Sequence, residues 1–149
     1  KLRARFKKMI DAGTLQIVVV HGRMVLKLKS AVLFDSGKDR LRRVGARVLA
    51  EIAAELRTLQ SRHFQVAGHT DNKPIRRSRF RSNWALSAAR AVRVVQFLEK
   101  NRVSAGTMSA AGFSEHQPVA PNSTAPGRQQ NRRIEITLLP LVSSKLVRR

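Results

Sequence analysis

The chain has 149 residues, a length that suits one domain with a single buried core. Its apolar content of 42% is ordinary for a folded protein, but 30 Lys and Arg against 9 Asp and Glu give a formal net charge of +21. No apolar run approaches the roughly 20 residues of a membrane-crossing helix, and the lack of cysteine excludes disulfides and thiolate metal sites.

Residues 1–13 place Leu2, Phe6, Met9 and Ile10 at helical spacing and predict a short helix stopped at Gly13; residues 1–14 read as an N-terminal linker helix. "LQIVVV" (15–20) and "RMVLKLK" (23–29) predict two strands joined through His21-Gly22 as a tight hairpin. "LFDSGKDR" (33–40) breaks the pattern, with Asp39 as a candidate helix N-cap. From 41 to 59, Leu41, Val44, Val48, Ile52, Leu56 and Leu59 recur every three or four residues and predict an amphipathic helix. "HFQVAG" (63–68) predicts a strand, 83–100 a second helix, and "MSAAGF" (108–113) another strand. The Pro-, Asn- and Ser-rich stretch 116–130 reads as a long loop, and "RRIEITLL" (132–139) as a last strand stopped by Pro140. Residues 141–149 read as a basic tail, leaving 15–140 as the domain. The order β-β-α-β-α-β-β predicts an α+β sandwich, with two main helices packed on one face of a mixed sheet. A start at Lys1 without an initiator Met reads as a mature or excised piece, from which a membrane attachment can have been lost.

The stretch "GHTDNKPIRRSRFRSNWALSAAR" (68–90) keeps one acid, Asp71, among six basic side chains. Asp71 follows a strand end, where ligand-facing residues gather; it can equally cap its neighbours' amides in an Asx-turn. On the second helix Ser87, Ala91, Val94 and Leu98 share a stripe, and Arg90 falls about 60° from its centre at 100° per residue. A guanidinium there must snorkel out, pair with an internal acid or hold a ligand's anion. Together the two residues complement a ligand carrying an ammonium beside a carboxylate.

"GHTD" with "NWALSAARA", preceded by "LFDSG" and followed by "GRQQNRRIEI", resembles the OmpA-like peptidoglycan-binding domain over roughly residues 23–139. Within that superfamily, Lys73-Pro74-Ile75 and "SNW" are most similar to the MotB-type stator proteins of the flagellar motor. The resemblance implies an OmpA-like sandwich and non-catalytic binding of peptidoglycan at the diaminopimelate of its stem peptide. It implies a periplasmic place, with a membrane tether in the full-length protein, and no cofactor. Asp71 would receive the ammonium and Arg90 the carboxylate, with Asn83 and Thr70 beside them. Phe34 would lie at the floor and Arg128 at the rim. Asn131, Arg132 and Arg133 match the family motif and can equally tie the last strand to the loops. The loop 73–81, with five Lys or Arg in nine positions, is longer and more basic than the OmpA type. An open cleft around Asp71 and Arg90 is expected, because burying such a pair unaided is costly.

Other chemistries find less support. His69 and Asp71 are two apart, so they share a strand face without forming a base and its orienter, and no nucleophile elbow is present. His69 reads as a buried structural histidine; His21, His63 and His116 lack metal-ligand spacing. A polyanion- or nucleic-acid-binding module rests on charge alone, carried by Lys73, Arg76, Arg77, Arg79 and Arg81; the chain has no Tyr and one Trp. A homodimer, fed by the N-terminal helix, is compatible with wall binding.

Overall fold

A computed structural model describes residues 2–59, 61–76 and 78–139. The expected tail at 141–149 lies outside the described residues, as do Pro140 and Arg77. Two short helices, α1 (Leu2–Arg5) and α2 (Lys7–Asp11), replace the single helix expected at the start. Phe6 between them and Met9 are buried in the core, and Arg3 donates to the Ile17 carbonyl at 2.9 Å. The segment is thus packed against the body of the fold.

Strands β1 (Gln16–Val20) and β2 (Arg23–Lys29) form the predicted antiparallel hairpin. Its two turn residues both have positive φ, 50° at His21 and 75° at Gly22, the mirror-image turn that matches the twist of a two-residue hairpin. A four-residue helix α3 (Ser30–Leu33), not expected from the pattern, leads into the loop before α4 (Arg43–Leu56). The N-cap of α4 is Arg42 rather than Asp39, which is drawn away to two arginines described below. Val44, expected on the apolar stripe, lies on the exposed side; Val48, Leu49, Ile52 and Leu56 carry the buried face.

β3 (His63–His69), α5 (Asn83–Lys100) and β4 (Met108–Gly112) form a crossover unit whose strands run parallel. The expected loop at 116–130 contains a further helix, α6 (Ala125–Asn131), capped by the Thr124 hydroxyl on Gly127 N–H and opened by a proline. β5 (Arg133–Leu139) then enters the middle of the sheet, giving the order β1-β2-β5-β3-β4. All pairings except β3–β4 are antiparallel, so the sheet is mixed.

Register puts the core on one face. Ile17, Leu26, Ile136 and Val66 form one rung, and Leu28 with Ile134 and Phe64 with Leu138 extend it. These side chains meet Leu49, Ile52 and Leu56 of α4 and Ala91, Val94 and Leu98 of α5 in one cluster. The opposite rung of Lys27, Glu135 and Ala67 faces away. The α+β arrangement with α4 and α5 on one sheet face is the one the sequence predicts.

α5 approaches the sheet unusually closely at one place. Gly68 and Gly112 are register partners on β3 and β4. A Cβ on Gly68 would stand 2.1 Å from the Ser87 carbonyl oxygen, and one on Gly112 would stand 2.6 Å from Ala88 N. Only a glycine pair lets the helix backbone rest there. The contact holds the first turns of α5 against the strand ends.

Candidate functional site

The residues that follow β3, Thr70 and Asp71, lie at the edge of a cavity of about 550 Å³. The first turns of α5 bring Asn83, Leu86 and Arg90 to the same cavity, and Phe34, Asp35 and Arg132 complete its walls. Five of the six residues singled out in the sequence, Asp71, Arg90, Asn83, Thr70 and Phe34, therefore converge. Arg128 does not: it lies on α6 and donates to the Asn122 carbonyl at 2.9 Å.

Asp71 is buried, and both carboxylate oxygens are engaged. Oδ1 accepts from the Lys73 backbone N–H at 3.0 Å, the Asx-turn its position allowed. Oδ2 accepts from Arg132 Nη1 at 2.5 Å. Arg132, at the junction of α6 and β5, is the site residue that residue-by-residue reasoning missed; the "NRR" motif was the available signal, though it spoke equally for a tie between strand and loop. Thr70 donates its hydroxyl to the Asp71 carbonyl at 2.8 Å, and Asn83 Nδ2 donates to the Lys73 carbonyl at 3.0 Å. The loop start is thereby fixed at both its amide and its carbonyl.

Arg90 is 5% exposed, so it does not snorkel, and it pairs with no acid among the described residues. Nε donates to the Lys38 carbonyl at 2.8 Å and Nη2 to the Asp35 carbonyl at 3.0 Å. The guanidinium carbon lies 5.0 Å from the centre of the Phe34 ring, so Phe34 is a cation–π platform as well as a floor. Burial pushes the guanidinium down to about 10, opposed by Asp39 and reinforced by Arg132, which leaves it charged at neutral pH. Nη1 makes no hydrogen bond among the described residues, and Arg90 lines the cavity.

The loop that receives Arg90 is itself held by Asp39. Burial alone would raise this carboxyl, but hydrogen bonds and charge from Arg79 at 3.0 Å and Arg93 at 3.2 Å hold it below its ordinary value. Ser78 Oγ adds a donation to the Gly37 carbonyl at 2.6 Å. The cations of the 73–81 loop are thus divided in use: Arg79 fastens the loop, Lys73 and Arg76 line the cavity, and Arg81 is exposed.

His69 is buried, as the sequence suggested. Its ring stacks on Phe113 at 5.0 Å, and Nε2 lies 3.9 Å from Glu135 Oε1. Burial, with Arg133 and Lys27 adding and Glu135 opposing, depresses it from 6.5 to about 4. The folded state therefore holds it neutral, whereas the unfolded chain takes up a proton once pH falls below 6.5. Stability is then lost between pH 6.5 and 4 as acid is added, by about 2 kcal/mol from pH 7 to 4.5. Denaturant titrations at these two pH values should show that His69→Gln loses this part of the difference; an unchanged difference would refute the assignment.

Among the described residues, no helix is long and apolar enough to cross a membrane and no group of His, Asp or Glu is arranged to hold a metal ion. A model of the OmpA family matches residues 33–132. Motility protein B of Bacillus subtilis (strain 168) is 42% identical over 118 residues, covering 78% of this chain and 45% of that protein. The chain spans about half the length of the curated relatives it matches. Among solved structures, the cell wall anchor of the T6SS from Pseudomonas aeruginosa superposes with a TM-score of 0.86 at 36% identity, covering 93% of this chain and 96% of that one. The periplasmic domain of Helicobacter pylori MotB superposes with a TM-score of 0.81 at 28% identity, covering 89% and 92%.

Proposed function

The chain belongs to the OmpA family, and on that premise we propose that it binds peptidoglycan non-covalently and anchors a larger envelope protein to the wall. The ligand is the diaminopimelate of the stem peptide, and the domain works in the periplasm, tethered to a membrane through the rest of its protein. Similarity to a motility protein and to a cell wall anchor supports the anchoring role.

The observation that carries the reading is the convergence of Asp71 and Arg90 on one cavity with Thr70, Asn83 and Phe34. An ammonium beside a carboxylate meets both charges at once. Arg132 holds the place at Asp71 that the ammonium takes; its side chain is 41% exposed and has room to turn outward, and the ammonium replaces its charge beside the buried carboxylate. The ligand's carboxylate meets Arg90 Nη1, whose charge is already oriented by two carbonyls. This is recognition by preorganised charge, with no bond made or broken.

Binding to purified sacculi at low and at about 0.5 M salt tests this, because exposed charge attraction is screened at the higher salt and a buried charge pair much less so. Wild type should stay bound at high salt, and Asp71→Asn should be released there. Binding that disappears in salt and is indifferent to Asp71 would make the +21 charge the effector and a polyanion the partner.

A further inference from the structure

The cavity carries more positive charge than one diaminopimelate centre can answer. Arg42, Lys73, Arg76, Arg90 and Arg132 line it against two carboxylates, Asp35 and Asp71. Arg132 is on Asp71, and Arg42 lies 3.8 Å from Asp35. An ammonium and a carboxylate arriving together leave this balance unchanged. Once the ammonium has replaced Arg132 on Asp71 and Arg90 has its carboxylate, Arg132 turns outward, and Lys73 and Arg76 remain on the cavity wall without an acidic partner among the described residues.

Their placement is fixed from both ends of the loop. At one end, the Lys73 N–H donates to Asp71 at 3.0 Å, and its carbonyl accepts from Asn83 at 3.0 Å. At the other, Ser78 is on the Gly37 carbonyl and Arg79 on Asp39. Residues 74–76, between these fastenings, run along the cavity. Pro74 and Ile75 line the wall between the two unused cations.

We infer that Lys73 and Arg76 form a second anion subsite of this cavity, which takes a further carboxylate of the same peptide. The preferred ligand is thus an acidic peptide with more carboxylates than ammoniums. The inference rests on the reading of Asp71 and Arg90 as the anchors of the diaminopimelate centre. In a stem peptide the neighbouring γ-linked glutamate supplies such a carboxylate, and its amidation removes it.

Calorimetric titration at about 20 mM salt, where surface charges are weakly screened, tests the subsite with three probes. These are meso-diaminopimelate, N-acetyl-L-alanyl-γ-D-glutamyl-meso-diaminopimelate, and the same peptide with its glutamate carboxylate amidated. Wild type should bind the acid peptide about fivefold more tightly than the amide, the sum of two exposed charge contacts. In the double variant Lys73→Gln, Arg76→Gln that ratio should fall to about one, and each single variant should remove part of it. The readout is a ratio, so a general loss of affinity does not imitate it. A wild type that binds acid and amide equally, or a double variant that keeps the preference, overturns the subsite and leaves the diaminopimelate reading standing. A wild type that binds none of the three overturns both.

Discussion

Arg90→Ala should lower affinity for a diaminopimelate peptide by about 30-fold or more, the equivalent of about 2 kcal/mol for a charge-assisted contact in a sheltered site. Stability should fall as well. The side chain is buried, donates to two carbonyls 52 and 55 residues away, and lies over Phe34. Its removal strands both carbonyls and opens space beneath the loop, at a cost of about 2 kcal/mol or roughly 5 °C in Tm. Arg90→Lys separates the two effects. A lysine keeps the charge but has no planar fork, so it cannot serve both carbonyls and still present a donor to the ligand. That variant should retain most of the stability and lose at least about tenfold in affinity. Calorimetry alongside thermal unfolding checks both; wild-type affinity in the two variants would remove Arg90 from the ligand's carboxylate.

Gly68→Ala should be the most damaging single-methyl substitution near the site. The added carbon would stand 2.1 Å from the Ser87 carbonyl oxygen, a backbone atom within α5 that cannot rotate aside. Either the strand or the helix must move, at a cost of about 3 kcal/mol and roughly 10 °C in Tm. Arg90 is one helical turn beyond Ser87, so displacement of α5 also shifts the guanidinium from the Lys38 and Asp35 carbonyls. Stability and binding should therefore fall together. Gly106→Ala is the control: a Cβ there meets nothing within 4 Å, and its melting curve should overlay the wild type. A Gly68→Ala protein melting within about 2 °C of wild type would show that the helix is not seated as tightly as its contacts indicate.

Much of this architecture is legible in the chain because it is local. The His21-Gly22 hairpin, the α4 stripe and the α5 face follow from turn chemistry and periodicity, and the buried Ser87, Ala91, Val94 and Leu98 lie where a helical wheel puts them. α3 is too short to show a period. α6 was hidden by composition: its Thr124 cap and early proline were visible, but Pro, Asn and Ser read first as loop. Asp39 illustrates a different limit. A short-range rule makes it an N-cap, yet its partners are 40 and 54 residues distant, and no local pattern announces them. Arg132 is 61 residues from Asp71, so its role becomes visible only when β5 is placed beside β3.

That placement also orders events in time. β5 follows every other described strand in the chain, yet it occupies the centre of the sheet, between β2 and β3. Before it docks, the β1–β2 hairpin and the β3–α5–β4 unit share no ladder of hydrogen bonds, and each presents an open edge. Arg132, one residue ahead of β5, cannot yet stand beside Asp71. Until β5 is in place, the sheet is therefore in two parts, joined through the helices and the Asp39 and Arg90 contacts and not through strand pairing. Bringing β5 back between β2 and β3 closes a long stretch of chain and should slow folding, and the Asp71–Arg132 ion pair forms in the same step as the completed sheet.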